Sequence, residues 1–189
     1  MENFVKKYKT ELIALGITGV IIGYILYKQN TFKKDLDYNY IIGDKFARYI
    51  YDNPESLFGY DNSLQNDGLT INKLIGLILK NPIPNKYVNR IFLSIGTFDN
   101  FKHNDNIKKL FKLLKFKFPK AKFYVIKGST LGIHAEDLNQ WYENFKPFAT
   151  ILNNSVGNAD INNEADSKFT EIAKEINSII PEAELRTRA

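Results

Sequence analysis

The chain contains no cysteine. Disulfide staples, thiolate catalysis and Cys-ligated metal centres are excluded together. The compartment stays open, because a cysteine-free chain tolerates either redox state. Histidine is nearly as scarce, with only His103 and His134, so a His-rich metal site is excluded too. Arginine occurs 4 times against 22 lysines. The planar guanidinium fork is the usual tool for bidentate phosphate and base contacts, so a dedicated nucleic-acid reader is not expected.

What is present suffices for one domain of ordinary size plus a short appendage. The 189 residues are 44% hydrophobic and 14% aromatic, ample for a buried core. The net charge of +5 is modest, and it accompanies 21 asparagines. A Lys/Asn/Ile-rich balance is what an AT-rich genome encodes, so part of the basicity reflects codon usage.

Long apolar runs are confined to the N-terminus. Leu12 to Tyr27 is 16 residues without a charge. As a helix it spans roughly 24 Å, slightly less than the ~30 Å hydrocarbon core of a bilayer. Lys6, Lys7, Lys9 and Lys28 flank it and can snorkel, and Tyr24 and Tyr27 sit where an interfacial aromatic pair belongs. The expectation is an uncleaved, single-pass anchor that uses the lipid bilayer as its partner. A cleaved signal peptide would want small residues after the run, where Tyr-Lys-Gln-Asn stands. A buried core helix would show a polar face. Lysines lie on both sides of the segment, so its orientation stays open.

The expected organisation is a basic segment over 1–11, the anchor over 12–27, a charged tether over 28–37, an α/β domain over 38–181 and a polar tail over 182–189. Within the domain, strands are expected at Tyr38 to Gly43, Arg90 to Ile95, Lys122 to Ile126 and Thr150 to Leu152. Helices are expected at Asp44 to Tyr51, Thr70 to Leu79, Asn104 to Phe116, Ala135 to Phe145 and Ala165 to Ile180. That rhythm predicts a three-layer, doubly wound parallel sheet. Its site should form in the loops after the strands.

Those loops carry a recognisable series of blocks. Tyr40-Ile41-Ile42-Gly43-Asp44-Lys45 resembles the first block of SGNH (GDSL-type) hydrolases, a strand followed by Gly-Asp-Ser. Asp67-Gly68-Leu69-Thr70 lies where the second block places a glycine whose N–H helps hold an oxyanion. Phe92 to Asp99 is similar to the third, strand-Gly-x-Asn-Asp, and Asp160-Ile161-Asn162-Asn163 to the final Asp-x-x-His. Phe123 to Ser129 resembles a Gly-Ser segment of virus-like members. The resemblance runs from about Tyr38 to Ile180 and implies an SGNH/flavodoxin-like fold. With the composition and the anchor, it implies a large DNA virus as a source by analogy.

The departures fall on the chemistry. Acyl transfer on this fold needs a hydroxyl nucleophile, a base and oxyanion donors. Lys45 stands at the serine position, Phe98 at the asparagine position, and Asn162 or Asn163 at the histidine position. The resemblance therefore implies a catalytically inactive module with structural or interaction roles, its degenerate positions being Asp44, Lys45, Gly68, Phe98, Asp160 and Asn163. The competing expectation is a membrane-bound esterase or acetyl-hydrolase rewired around Ser129 and His134, or around Lys45 as an amine nucleophile. No cofactor and no resident metal are expected, although Asp44, Asp99 and Asp160 are three carboxylates at strand ends. A surface histidine is the ordinary reading of His103.

One charge pattern stands apart. Between Asn106 and Lys127 lie eight lysines and no acid, from Lys108 on the third helix of the domain to Lys127 on a strand. Lys108, Lys112 and Lys115 share a helix face opposite Leu110, Leu113 and Leu114. A solvated face is the plain reading, and attraction to anionic lipid or to a protein partner is the sharper one.

Overall fold

The computed structural model describes residues 38–99, 106–129, 135–159, 163 and 166–185. The chain divides after Leu36, and all the described residues belong to the unit that follows. The anchor expected over 12–27 and the tether over 28–37 lie outside them. No helix among the described residues is long and apolar enough to cross a membrane.

Three strands form the middle of the sheet because their side chains are apolar on both faces. They are β1 (Asn39–Gly43), β3 (Arg90–Ile95) and β4 (Lys122–Ser129). Continuous apolar runs of this kind mark parallel strands covered on both sides. The chain also carries α1 (Lys45–Asp52), β2 (Gly59–Gln65), α2 (Ile71–Lys80), α3 (Ile107–Lys117), α4 (Ala135–Glu143), β5 (Thr150–Gly157) and α5 (Ser167–Ile179). The sheet is all parallel in the order β2-β1-β3-β4-β5. This is the doubly wound α/β architecture expected from the sequence, with its topological switch between β1 and β3.

Alternate residues of each central strand feed opposite cores. Ile41, Phe92 and Ile126 face α1 and α5, where they meet Phe46, Ile50, Phe169 and Ile172. Ile42, Leu93 and Val125 face α2, α3 and α4, where they meet Leu74, Leu110, Trp141 and Phe145. Each fully buried aliphatic or aromatic side chain contributes about 1.5–3 kcal/mol. Two helices on one face and three on the other complete the layers.

The strand pattern departs from the sequence reading at the two edges, and central β4 runs to Ser129 where the sequence reading ended it at Ile126. β2 is not anticipated at all. Its sequence, GYDNSLQ, buries only Gly59 and Leu64, so it lacks an apolar run. β5 is longer than expected and continues to Gly157 through Asn153, Asn154 and Ser155, with Leu152 and Val156 as its buried residues. Edge strands owe their pairing to a neighbour's backbone, and composition hides them. The last expected segment, the polar stretch from 182, opens with a 3₁₀ turn at Glu182–Glu184. Its Glu184 carboxylate docks on Arg90 at 2.8 Å and Asn89 at 3.2 Å, at the start of β3.

Candidate functional site

The switch point brings the ends of β1 and β3 together, and the first two expected blocks meet the third there. Gly43 has φ +143°, and a Cβ on it would run into the Ser94 carbonyl oxygen. Only glycine permits this approach. The Asp44 N–H then donates to that same carbonyl at 3.1 Å, and the Asn66 N–H donates to the Gly43 carbonyl at 3.2 Å.

Asp44 follows as the N-cap of α1. Its Oδ1 accepts from the Phe46 N–H at 3.1 Å and from the Ser94 hydroxyl at 2.8 Å. Both Asp44 and Ser94 have no exposed surface. Among the described residues, Oδ2 is buried with no partner at hydrogen-bond geometry. Burial pushes the carboxyl up to about 7 from the ordinary 3.8, against the opposing pull of Ser94, the Phe46 and Ala47 N–H groups and, least, the nearby Thr97 hydroxyl. The result is a carboxyl sealed from solvent that holds its proton close to neutrality.

Lys45 turns along α1. It is half-buried, and its ammonium sits 5.4 Å from the centre of the Phe46 ring. Among the described residues it forms no ion pair with Asp44. Gly68 donates its N–H to Asn66 Oδ1 at 3.2 Å. Its carbonyl accepts from Lys73 Nζ at 2.8 Å.

The third block closes β3 with a 3₁₀ turn, Thr97–Asp99. Both Asp99 oxygens accept from the Ile71 N–H, each at 3.2 Å, which ties this turn to the start of α2. Burial pushes Asp99 up to about 6, with the Ile71 N–H pulling the other way. Phe98 is half-buried in the same turn. The Thr97 hydroxyl accepts from the Ser129 N–H at 3.1 Å. Ser129 itself is buried at the end of β4.

Tyr142 of α4 completes the frame. Its hydroxyl donates to the Ile95 carbonyl and accepts from the Gly128 N–H, both at 2.6 Å, so one side chain joins the ends of β3 and β4. A Cβ at Gly128 would collide with Thr97 Oγ1 and come 3.3 Å from this hydroxyl. Burial drives the Tyr142 phenol far above its ordinary value.

Of the expected site residues, Asp44 is tied to Ser94 of β3 and Asp99 to the start of α2, Phe98 is half-buried between Thr97 and Asp99, and Lys45 and Gly68 are turned to other partners. Asn163 is exposed, and its carbonyl accepts the Asp166 N–H at 3.2 Å. Asp160, Asn162, His134, Thr130 and His103 lie outside the described residues. Among the described residues no three carboxylate or imidazole groups gather. Sequence reasoning missed Ser94, Thr97 and Tyr142 as members of this cluster. Ser94 had a signal: it is the polar residue inside the apolar run Phe92-Leu93-Ser94-Ile95, and a buried hydroxyl needs a partner.

Chemically, the described part of this cluster is a set of mutual ties. Ser94 and Asp44 are a hydroxyl and a carboxyl at hydrogen-bond distance, and both are fully buried. Compared with known proteins, the chain matches no protein-family model, no curated protein and no solved structure.

Proposed function

We propose that this protein is an SGNH-like α/β module that does not hydrolyse esters and that serves as an interaction element, held at a membrane by Leu12 to Tyr27. The observation that carries the reading is the first block. The family's nucleophile position holds Lys45, whose ammonium lies over Phe46, while the preceding Asp44 is spent as a helix cap and strand tie. The engaged N–H of Gly68 and the Phe98 at the asparagine position support it further. Losing a triad member lowers turnover by about 10⁴-fold. Losing nucleophile, base and an oxyanion donor together leaves little of that mechanism.

Hydrolysis of short-chain p-nitrophenyl esters by the full chain tests this. The wild type should match its own Lys45→Ala variant and the buffer blank. A Lys45→Ser/Asn163→His variant should gain measurable turnover if the family's frame persists. Wild-type turnover that disappears in Ser129→Ala or His134→Ala would replace this reading with that of a rewired esterase.

A further inference from the structure

Away from these loops, the starts of β4 and β5 and one face of α3, from Lys108 to Lys115, enclose an open groove of about 640 Å³. Its floor is aromatic. Phe111 stacks on Phe148 at 5.3 Å and meets Phe123 edge-on at 5.7 Å. Its rim is basic, carrying Lys108, Lys112, Lys115, Lys122 and Lys146. All five are exposed.

Among the described residues, acids neutralise little of this charge. Lys146 pairs with Glu143 at 2.7 Å on the surface. Lys108, Lys112 and Lys122 form no ion pair among the described residues. Lys115 reaches the Ala121 carbonyl at 3.4 Å and lies 5.9 Å from the centre of the Phe123 ring. A row of lysines at i, i+4 and i+7 without interleaved acids repels itself, and an external anion relieves that repulsion.

Large apolar side chains are also exposed at the end of α2, in the loop after it and in the last turn of α3. Leu79 is 55% exposed, Ile83 73% and Phe116 58%. All three belong to the same end of the domain. The Lys117 ammonium donates to the Asn81 carbonyl at 2.8 Å, and the Asn85 N–H donates to the Lys117 carbonyl at 2.6 Å. The loop from α2 to β3 is thereby laced to the end of α3. Separate exposed apolar side chains are ordinary, but three of them at the ends of α2 and α3, with a lysine row along α3 that forms no ion pair among the described residues, combine the two attractions that hold a protein on an acidic bilayer.

We infer that this face of the domain, the lysine row Lys108–Lys112–Lys115 along α3 and Lys122, with Phe116, Ile83 and Leu79 toward the ends of α2 and α3, docks on an anionic phospholipid surface. Lysines supply attraction to the headgroups. The apolar side chains enter the interface between headgroup and acyl chain. Lysine suits the task better than arginine suits a base reader, because a diffuse anionic surface asks for point charges and not for a bidentate fork. The inference stands on this surface alone and needs neither the SGNH resemblance nor the N-terminal anchor.

The absence of cysteine makes the test direct, since one introduced thiol is a unique label site. Full-length Phe116→Cys, carrying an environment-sensitive fluorophore, is mixed with phosphatidylcholine vesicles or with vesicles that also contain phosphatidylserine. The expected result is a blue shift and brightening with phosphatidylserine only, reversed by salt. A label at Asn62→Cys, on edge strand β2, should stay unchanged. Adding Lys112→Glu/Lys115→Glu should weaken the response roughly tenfold or more, with the circular dichroism spectrum intact. An equal response to both vesicles, no response, or a response indifferent to the lysine reversals would overturn the inference. A response elicited instead by a single-stranded oligonucleotide over phosphatidylcholine would also overturn it, and would make this a nucleic-acid face. Loss of function at the strand-end loops would leave this readout untouched, so the two readings fail separately.

Discussion

A carboxyl with no exposed surface and, among the described residues, one oxygen lacking a partner is poorly placed to ionise, and Asp44 is such a group. Its folded-state value near 7 stands above the ordinary 3.8. Below 3.8 both folded and unfolded chains hold the proton. Between 3.8 and about 7 only the folded chain holds it, so stability falls as pH rises through that window. Above it, the full penalty of a buried carboxylate remains. Asp99 adds a smaller contribution of the same sign, between 3.8 and about 6. Asp44→Asn keeps an oxygen for Ser94 and Phe46 and removes the charge. The variant should match the wild type near pH 4 and exceed it near pH 8 by on the order of 2–4 kcal/mol, taking about 1.36 kcal/mol per pKa unit. Thermal melts of both proteins across this range check it. A difference that does not change with pH would mean that Asp44 is not the titrating group.

At the scale of elements, the hydroxyl of Tyr142 lets α4 hold two strands in register at their ends. Tyr142→Phe leaves the Ile95 carbonyl and the Gly128 N–H buried with a partner removed. The expected loss is about 1–3 kcal/mol in urea unfolding, with faster hydrogen exchange at the Gly128 amide. A loss under about 0.5 kcal/mol would show that water or a backbone shift replaces the hydroxyl. Such ties explain what the sequence shows and what it hides. β1, β3 and β4 are legible because burial on both faces leaves an apolar run, and α2 because Thr70 caps it while Ile71, Leu74, Ile75 and Ile78 line one side. β2 is hidden because an edge strand needs few apolar residues. The site was legible as a set of loops, through Gly43, Asp44, Gly96 and Asp99. The ties within it were not, because Tyr142 is 47 residues from the carbonyl it binds and looks like one more core aromatic on α4.

Across the whole molecule the two ends of the sheet are built differently. The upper end spends its polar groups on one another. The lower end is divided: Lys115 and Lys122 are exposed near the end of α3 and at the start of β4, while the starts of β1 and β3 are closed by the chain's own last described turn. Glu184 reaches Arg90 Nη1 at 2.8 Å, Asn89 at 3.2 Å and Asn39 Nδ2 at 3.4 Å, and Arg90 Nη1 also donates to Asn39 Oδ1 at 3.2 Å. The Arg90 and Glu184 side chains are only 14% and 27% exposed, and among the described residues Arg90 Nε is already buried without a partner. Removing the carboxylate therefore strands a poorly hydrated guanidinium. Breaking a fully buried pair costs about 3–5 kcal/mol. Because water still reaches this pair, Glu184→Ala should lose about 1–3 kcal/mol in urea unfolding. Deleting the chain from Glu182 onward should lose a similar amount if the latch acts mainly through this carboxylate. The double variant Arg90→Met/Glu184→Met should recover much of the loss, since apolar packing replaces a charge pair at little net penalty. If Glu184→Ala instead unfolds with the wild type while the deletion is destabilised, the turn holds the sheet by packing, through the half-buried Leu185 against the α1 and α5 core, and the ion pair is incidental.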